Sequence, residues 1–197
     1  MWQSALKAAG LLMAFALLGA LLVGLSQENT VERIAANQRA ALLNQLNAIT
    51  PAHDNDLLQE PLMVQAPDQL GSDKTIVYRA WQGQQPVAAI FSPVIAQGYS
   101  GAITLIIAVK TDGTLGGVRV IEHRETPGLG DKIEHERDPW IYYFTGKHLD
   151  QPKRWKVKRD GGDIDQFTGA TITPRAVVAA VHKTLGYYQQ HHNTLFK

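Results

Sequence analysis

The chain has 197 residues and a nearly balanced charge, with 19 Lys and Arg against 18 Asp and Glu, a formal net charge of +1 and a sequence pI near 8.0. It contains no cysteine, which excludes structural disulfides, thiol nucleophiles, Cys-ligated iron–sulfur clusters and Cys-linked haem. If this chain carries electrons, an organic cofactor must therefore carry them.

The first predicted element is a membrane anchor. No charged residue occurs between Lys7 and Glu28, and residues 8–25 are almost entirely Ala, Leu, Gly, Val, Phe and Met. About 18 to 20 such residues cross the ~30 Å hydrocarbon core as a helix. A cleaved signal peptide is the alternative, but its apolar region usually has about 7–15 residues and ends in a small-residue cleavage site. Since Val23-Gly-Leu-Ser26 is a poor cleavage site, we predict a retained anchor.

The charges around the anchor predict its orientation. Lys7 and the amino terminus are the only positive groups before the apolar run, so the short end should stay in the cytoplasm. The rest of the chain then lies outside the cytoplasmic membrane, in the periplasm of a Gram-negative cell. We expect a cytoplasmic tip and anchor at 1–28, a juxtamembrane helix and connection at 29–75, and one domain at 76–197.

The juxtamembrane segment Thr30–Ile49 is predicted to be helical. Its apolar residues recur at helical spacing, and Pro51 should stop the helix. Pro51–Lys74 is expected to be an irregular connection with room for one short element. The apolar residues that carry the helical prediction are Val31, Ile34, Leu42, Leu46 and Ile49.

Two hairpins are predicted next. Ile76–Trp81 pairs with Val87–Phe91, and Ile103–Lys110 pairs with Val118–His123 across a turn that contains Asp112-Gly113. The basic run Lys153–Arg159 alternates charged and apolar residues, which predicts a further strand near Trp155–Val157. No nucleic-acid-binding motif accompanies this run. Hairpins with helices mainly at the ends indicate an α+β fold, with an antiparallel or mixed sheet.

The segment from Asp165 to Pro174 is a turn of small residues that leads into a helix. Thr173 is predicted as the N-cap and Pro174 as the first helical residue. A helix N-terminus offers unpaired N–H groups and partial positive charge, which suit an anion. From turn chemistry alone, a capped helix start with no ligand is the better explanation of the segment. The residues that predict the buried face of the helix are Val177, Val178, Val181 and Leu185.

Asp165-x-x-Thr168-Gly169-Ala170-Thr171 resembles a motif at which FMN is attached to threonine through its phosphate. The motif belongs to the FMN-binding domain family shared by the G subunit of the Rnf electron-transport complex and the C subunit of the sodium-pumping NADH:quinone reductase. The resemblance implies attachment at Thr171, with Thr168, Gly169 and Ala170 shaping the turn, and Thr173 binding the phosphate or capping the helix. Glycine permits backbone angles closed to other residues. The resemblance also implies that Asp165 belongs to the sequence read by a flavin transferase, which uses Mg²⁺ and FAD.

A second loop has the sequence Glu125-Thr-Pro-Gly-Leu-Gly130-Asp131-Lys132. It resembles the segment that lies against the flavin ring in the same family. The alternative is an ordinary surface loop rich in turn formers. Within the loop, Lys132 is a candidate for the flavin N1–C2 carbonyl edge, and an exposed lysine is its alternative. Gly98-Tyr99-Ser100-Gly101 also resembles the family, but less specifically. The ring-bordering residues implied by the resemblance are Glu125, Thr126, Gly128, Leu129, Gly130 and Lys132.

The sequence resembles the Rnf protein more than the quinone reductase protein. This resemblance implies a membrane-anchored electron-transfer subunit rather than an enzyme acting alone. Its cofactor would be covalent FMN, and its partners the other subunits of a complex that couples electron transfer between ferredoxin and NAD to ion translocation. The corresponding protein of the quinone reductase is one alternative. A tethered binding or assembly module in which Thr171 is never modified is another. The histidines lack metal-site spacing, so no metal site is predicted.

Overall fold

The computed structural model describes residues 2–197, without the side chains of residues 24–29, 31 and 32. The chain forms two compact units, Met1–Leu42 and Leu43–Lys197. Helix α1 covers Trp2–Asn47. It includes most of the predicted juxtamembrane helix and ends ahead of Pro51, as predicted. The side chain of Val31, used in that prediction, lies outside the described residues.

The apolar part of α1 is long enough to cross a membrane. Trp2–Val23, 22 residues, meets the requirement by length and composition. Its large apolar side chains are exposed; Leu12, for example, is 71% exposed. Such an exposed apolar helix could span a membrane.

The second unit is built around a five-stranded antiparallel sheet in the order β1-β2-β3-β4-β5. Both predicted hairpins are confirmed, and they join into one meander. A four-residue helix α2, Pro67–Leu70, follows the first strand. The strands are β1 Leu62–Val64, β2 Thr75–Gln82, β3 Gln85–Gln97, β4 Ala102–Lys110 and β5 Leu115–Glu122.

Helix α3, Ile172–Leu195, packs against the sheet. Val177, Val181 and Leu185 are buried together with alternate residues of β3 and β4, and Tyr187 meets Phe91 edge to face at 6.0 Å. The predicted buried face of this helix is confirmed. With one sheet and the helices outside it, the α+β prediction is also confirmed.

The opposite face of the sheet is also covered. Gly117 allows a close approach, since a Cβ there would lie 2.8 Å from Ile49 Cγ2. Leu46 and Leu57 are fully buried in the same stretch of chain. The central strands β3 and β4 therefore contain runs of consecutive buried residues.

The predicted strand near Trp155–Val157 is wrong. Val157 makes a single bridge to Ile164, and a 3-10 helix covers Lys158–Asp160. The predicted burial alternation is present, because Trp155 and Val157 are buried and Lys156 is exposed. The segment folds on itself instead of joining the sheet. Arg154 pairs with Asp163 at 2.8 Å, which closes the segment into a loop.

Candidate functional site

A cleft of about 370 Å³ opens where three loops meet the N-terminus of α3. Its volume lies within the range of roughly 300–1,000 Å³ that is usual for small-molecule sites. The lining residues are Tyr99, Glu125, Thr126, Leu129, Gly130, Gly169, Ala170, Thr171, Ile172 and Thr173. The structure thus brings both predicted loops and the predicted turn to one place.

The turn before α3 is tight. The N–H of Ala170 donates to the carbonyl of Phe167 at 3.2 Å, and Gly169 has a φ of +83°. A positive φ at this position of a turn favours glycine. Trp140 fixes the turn from behind, because its indole N–H donates to the Asp165 carbonyl at 2.7 Å and its ring meets Phe167 at 5.1 Å.

The predicted N-cap at Thr173 is wrong. Helix α3 begins at Ile172, and Thr171 occupies the N-cap position. Thr173 is the second helical residue, and its hydroxyl donates to the carboxylate of Glu125. The pattern Thr171-x-Thr173-Pro174 contains two threonines at the start of the helix. Because Thr173 is buried beside Glu125, it lies inside the helix, and Thr171 takes the N-cap position.

The side chain of Thr171 does not cap its own helix. It makes no capping hydrogen bond to the described residues of α3, whereas N-cap threonines ordinarily accept an N–H from the first turn. Pro174 has no N–H to offer, so Ile172 and Thr173 present the N–H groups of this turn. The start of α3 therefore keeps its affinity for an anion.

Arg159 adds a full positive charge beside the N-terminus of α3. Its Nη1 donates to Thr171 Oγ1 at 3.2 Å. Arg159 follows Lys158, whose ammonium pairs with Asp165 at 2.6 Å. The sequence did not single out Arg159, which is only one member of the basic run Lys153–Arg159. Arginine beside a hydroxyl at a helix N-terminus is an arrangement suited to a phosphate group.

Two carboxylates hold the 3-10 helix Lys158–Asp160 in place. Arg175 donates two hydrogen bonds to Asp160, at 2.6 and 2.8 Å, and these bonds hold the pKa of Asp160 below its usual value. The backbone N–H of Arg154, then its side chain, lowers the pKa of Asp163. Arg159 is thereby presented from a loop that is closed at both ends.

The Glu125–Gly130 loop forms the facing wall of the cleft. The N–H groups of Leu129 and Gly130 donate to the Thr126 carbonyl at 3.1 and 3.0 Å, and Gly128 has a φ of +76°. Leu129 is 42% exposed and lies 3.4 Å from where a Cβ on Gly169 would sit. An exposed leucine over the floor of a cleft offers an apolar face to a flat ring.

Some predicted site residues lie elsewhere. Among the residues that the structure describes, Thr168, Gly128 and Lys132 do not line the cleft. Thr168 is exposed at the tip of its turn, and Lys132 is half-buried in the 3-10 helix Asp131–Ile133. By contrast, the segment Gly98–Gly101, whose resemblance to the family is less specific, places Tyr99 in the wall of the cleft.

His123 has a role that sequence reasoning missed. Its spacing predicts an ordinary surface histidine, but its side chain is only 10% exposed. Its Nδ1 accepts the N–H of Glu125 at 3.0 Å, so the proton is on Nε2, which donates to Glu134 at 2.5 Å. The histidine thus holds the start of the cleft loop against the 3-10 region that follows it.

Residues 98–186, which contain every segment of the cleft, match the family model of the FMN-binding domain. Residues 1–49 match the model of the RnfG N-terminal region. The fold and the site therefore define a protein with an FMN-binding domain behind an apolar N-terminal helix.

The curated relatives narrow the class to one family. The G subunit of the ion-translocating oxidoreductase complex of Shewanella loihica is 46% identical over 200 residues, which cover 99% of this chain and 94% of that protein. The protein of the same name from Pseudomonas aeruginosa is 46% identical over 198 residues, covering 98% and 92%. The chain belongs to this family of ion-translocating oxidoreductase complex G subunits. The predicted resemblance to the Rnf protein is thereby confirmed over the alternative from the quinone reductase.

A solved structure has a weaker likeness. The C subunit of the Na(+)-translocating NADH-quinone reductase from Parabacteroides distasonis is 24% identical, with a TM-score of 0.49, over 67% of this chain and 76% of that one.

Proposed function

We propose that this chain is a membrane-anchored electron-transfer subunit that carries FMN, linked through its phosphate to the hydroxyl of Thr171. The observation that carries the proposal is the position of Thr171. It is the N-cap residue of a long helix, its hydroxyl is not used for capping, and it lines the cleft beside Arg159. FMN-binding family membership supports the same cofactor.

The residues present fit a flavin phosphate. The N–H groups of Ile172 and Thr173 and the guanidinium of Arg159 would hold the phosphate. Leu129 would pack on the ring. Gly169 and Ala170 line the cleft with small side chains, which leave space for the ring. The bound flavin would supply reversible electron transfer. Gly128, Thr168 and Lys132 would act by shaping the loops or by long-range charge.

In this proposal the cleft lies outside the cytoplasmic membrane. Residues 1–28 form the cytoplasmic tip and anchor, 29–75 the juxtamembrane helix and connection, and 76–197 the FMN-binding domain in the periplasm. Lys7 on the short end supports this orientation. The side chains between Lys7 and Glu28 carry no charge, so electrons would cross on a partner protein with its own cofactor.

The complex would couple electron transfer between ferredoxin and NAD to ion translocation. Relatives that are named as members of an ion-translocating oxidoreductase complex support membership of such an assembly. A flavin transferase would attach the cofactor, since the chain's own residues around Thr171 offer a nucleophile and a phosphate site but no general base that contacts the Thr171 hydroxyl among the described residues.

The test uses the full chain, produced in a host with and without a flavin transferase. With the transferase, the denatured chain should keep yellow fluorescence on a gel. The peptide that contains Thr171 should gain the mass of FMN less water. Thr171→Ala should abolish both signals, while Thr194→Ala, a control at the exposed far end of α3, should keep attachment at Thr171. A colourless wild-type chain from the transferase host would refute the proposal.

A further inference from the structure

The carboxylate of Glu125 joins three separate segments of the chain at the wall of the cleft. Its Oε1 accepts the N–H of Ser100 at 2.9 Å, and its Oε2 accepts the N–H of Tyr99 at 3.3 Å and the hydroxyl of Thr173. Glu125 is only 5% exposed. Both oxygens thus accept hydrogen bonds from the protein.

The neighbouring glycines make room for this carboxylate. A Cβ on Gly98 would lie 2.5 Å from Glu125 Oε1, and a Cβ on Gly130 would lie 2.9 Å from both Glu125 Cβ and Thr173 Oγ1. A side chain at Gly98 would require Glu125 or Ile103 to shift, and one at Gly130 would require Glu125 or Thr173 to shift. The two glycine-containing loops therefore close around Glu125, and the start of α3 is fixed to the same point.

The partners of Glu125 are two backbone amides and one hydroxyl; none of those described is a cationic side chain. An ionised carboxylate at this position places a negative charge close to the cleft, where a low dielectric strengthens its field. Reduction adds negative charge to a bound flavin, and a fixed anion in the wall opposes that change.

We propose that Glu125 is a positioning residue, which fixes the Tyr99–Ser100 loop, the Gly130 turn and the start of α3 in one frame before flavin binds, and whose charge lowers the reduction potential of the bound flavin. This proposal rests on the proposed function for its second half. The first half concerns hydrogen bonds within the chain itself and is tested without flavin.

The frame is tested on the full chain with Thr171→Ala, which carries no flavin. Hydrogen exchange at the amides of Tyr99 and Ser100 should accelerate about tenfold when Glu125→Ala is added, as expected for loss of hydrogen bonds to a charged acceptor. Thr173→Val should accelerate exchange at Tyr99 because it loosens Oε2. Thr184→Val is the matched control, since Thr184 is buried in the same helix and bonds to Ala180 instead; it should leave both amides protected.

The charge is tested on the flavin-loaded chain with Glu125→Gln. The amide keeps the size of the side chain and can still accept from Ser100, and the potential is measured on the fraction of the chain that carries flavin. The midpoint potential, measured by spectroelectrochemical titration, should become more positive. Glu122→Gln removes an exposed charge at the end of β5 and should leave the potential unchanged.

Two results would overturn the proposal. One is unchanged exchange at Tyr99 and Ser100 in the Glu125→Ala chain, which would show that the loops hold without it. The other is an equal potential in the Glu125→Gln and wild-type proteins. A wild-type chain that never takes flavin would refute the proposed function and the effect on potential, while the exchange measurement would still decide whether Glu125 sets the frame.

Discussion

The guanidinium of Arg159 donates to the hydroxyl oxygen of Thr171 across 12 residues of sequence, at 3.2 Å. The contact leaves the Thr171 proton directed away from Arg159, because the oxygen is the acceptor. A phosphate esterified to that oxygen would lie within reach of the same guanidinium. The contact connects the loop that precedes the motif to the chemistry that we propose for it.

Replacement of Arg159 should therefore impair flavin attachment more than it impairs folding. We expect Arg159→Gln to lower the fraction of flavin-loaded chain about tenfold, the effect of one lost charge-assisted hydrogen bond. Arg159→Lys should keep an intermediate level, since lysine retains the charge without the planar fork. In-gel fluorescence divided by total protein measures this fraction.

Arg137→Gln is the matched control for charge. Arg137 is exposed and pairs with Glu134 at 3.7 Å. Its loss should leave the flavin-loaded fraction unchanged. Equal loading in the Arg159→Gln and Arg137→Gln chains would show that Arg159 has no part in holding the phosphate.

Gly169 sets both the turn and the floor of the cleft. Gly169→Ala should cost about 1–2 kcal/mol of unfolding free energy, because alanine is strained at a φ of +83°. The methyl group would also meet Leu129 Cδ2 at 3.4 Å and raise the floor beneath a bound ring. We expect a lower melting temperature and weaker flavin loading.

Gly146→Ala separates strain from the cleft. Gly146 has a φ of +76°, and a Cβ there would meet no described heavy atom within 4 Å. It should lower the melting temperature by a similar amount and leave loading unchanged. If both variants load equally well, the floor of the cleft does not depend on Gly169.

Much of the fold was predictable because it depends on local periodicity. The buried face of α3 follows the 3.6-residue spacing of Val177, Val181 and Leu185, and the hairpins follow short apolar runs with turn residues between them. The strand near Trp155 was predicted wrongly for a related reason. Apolar residues that alternate with polar ones indicate only which side chains are buried. A loop closed by ion pairs can bury alternate residues without pairing in a sheet.

The site was only partly predictable because its contacts are nonlocal. Spacing showed Thr171 near a helix start, but the choice of N-cap depends on Glu125, which lies 48 residues before Thr173. Arg159 and His123 carried no motif of their own. Their roles come from where the folded loops place them.

The close approach of Gly162 to Lys156 allows the loop that carries Arg159 to fold. A Cβ on Gly162 would overlap the Lys156 carbonyl oxygen, so Gly162→Ala must displace backbone. We expect a loss of about 1–3 kcal/mol of unfolding free energy, as for other overpacked positions, and reduced flavin loading. Gly186→Ala, in α3 with open space around it, should not destabilise the chain. Wild-type stability and loading in Gly162→Ala would contradict this role.

Acid should destabilise this loop through Asp160. Its pKa is lowered in the folded state, first by the hydrogen bonds from Arg175, so the unfolded chain binds the proton more readily. The stabilisation is fully present above the unfolded pKa of about 3.9 and is lost as the pH falls below it. Melting temperatures measured from about pH 6 to about pH 2 should fall below about pH 4 in the wild type. Asp160→Asn and Arg175→Gln should each start lower and fall less steeply, because each removes the same pair. Parallel curves for all three chains would show that the pair contributes no pH-dependent stability.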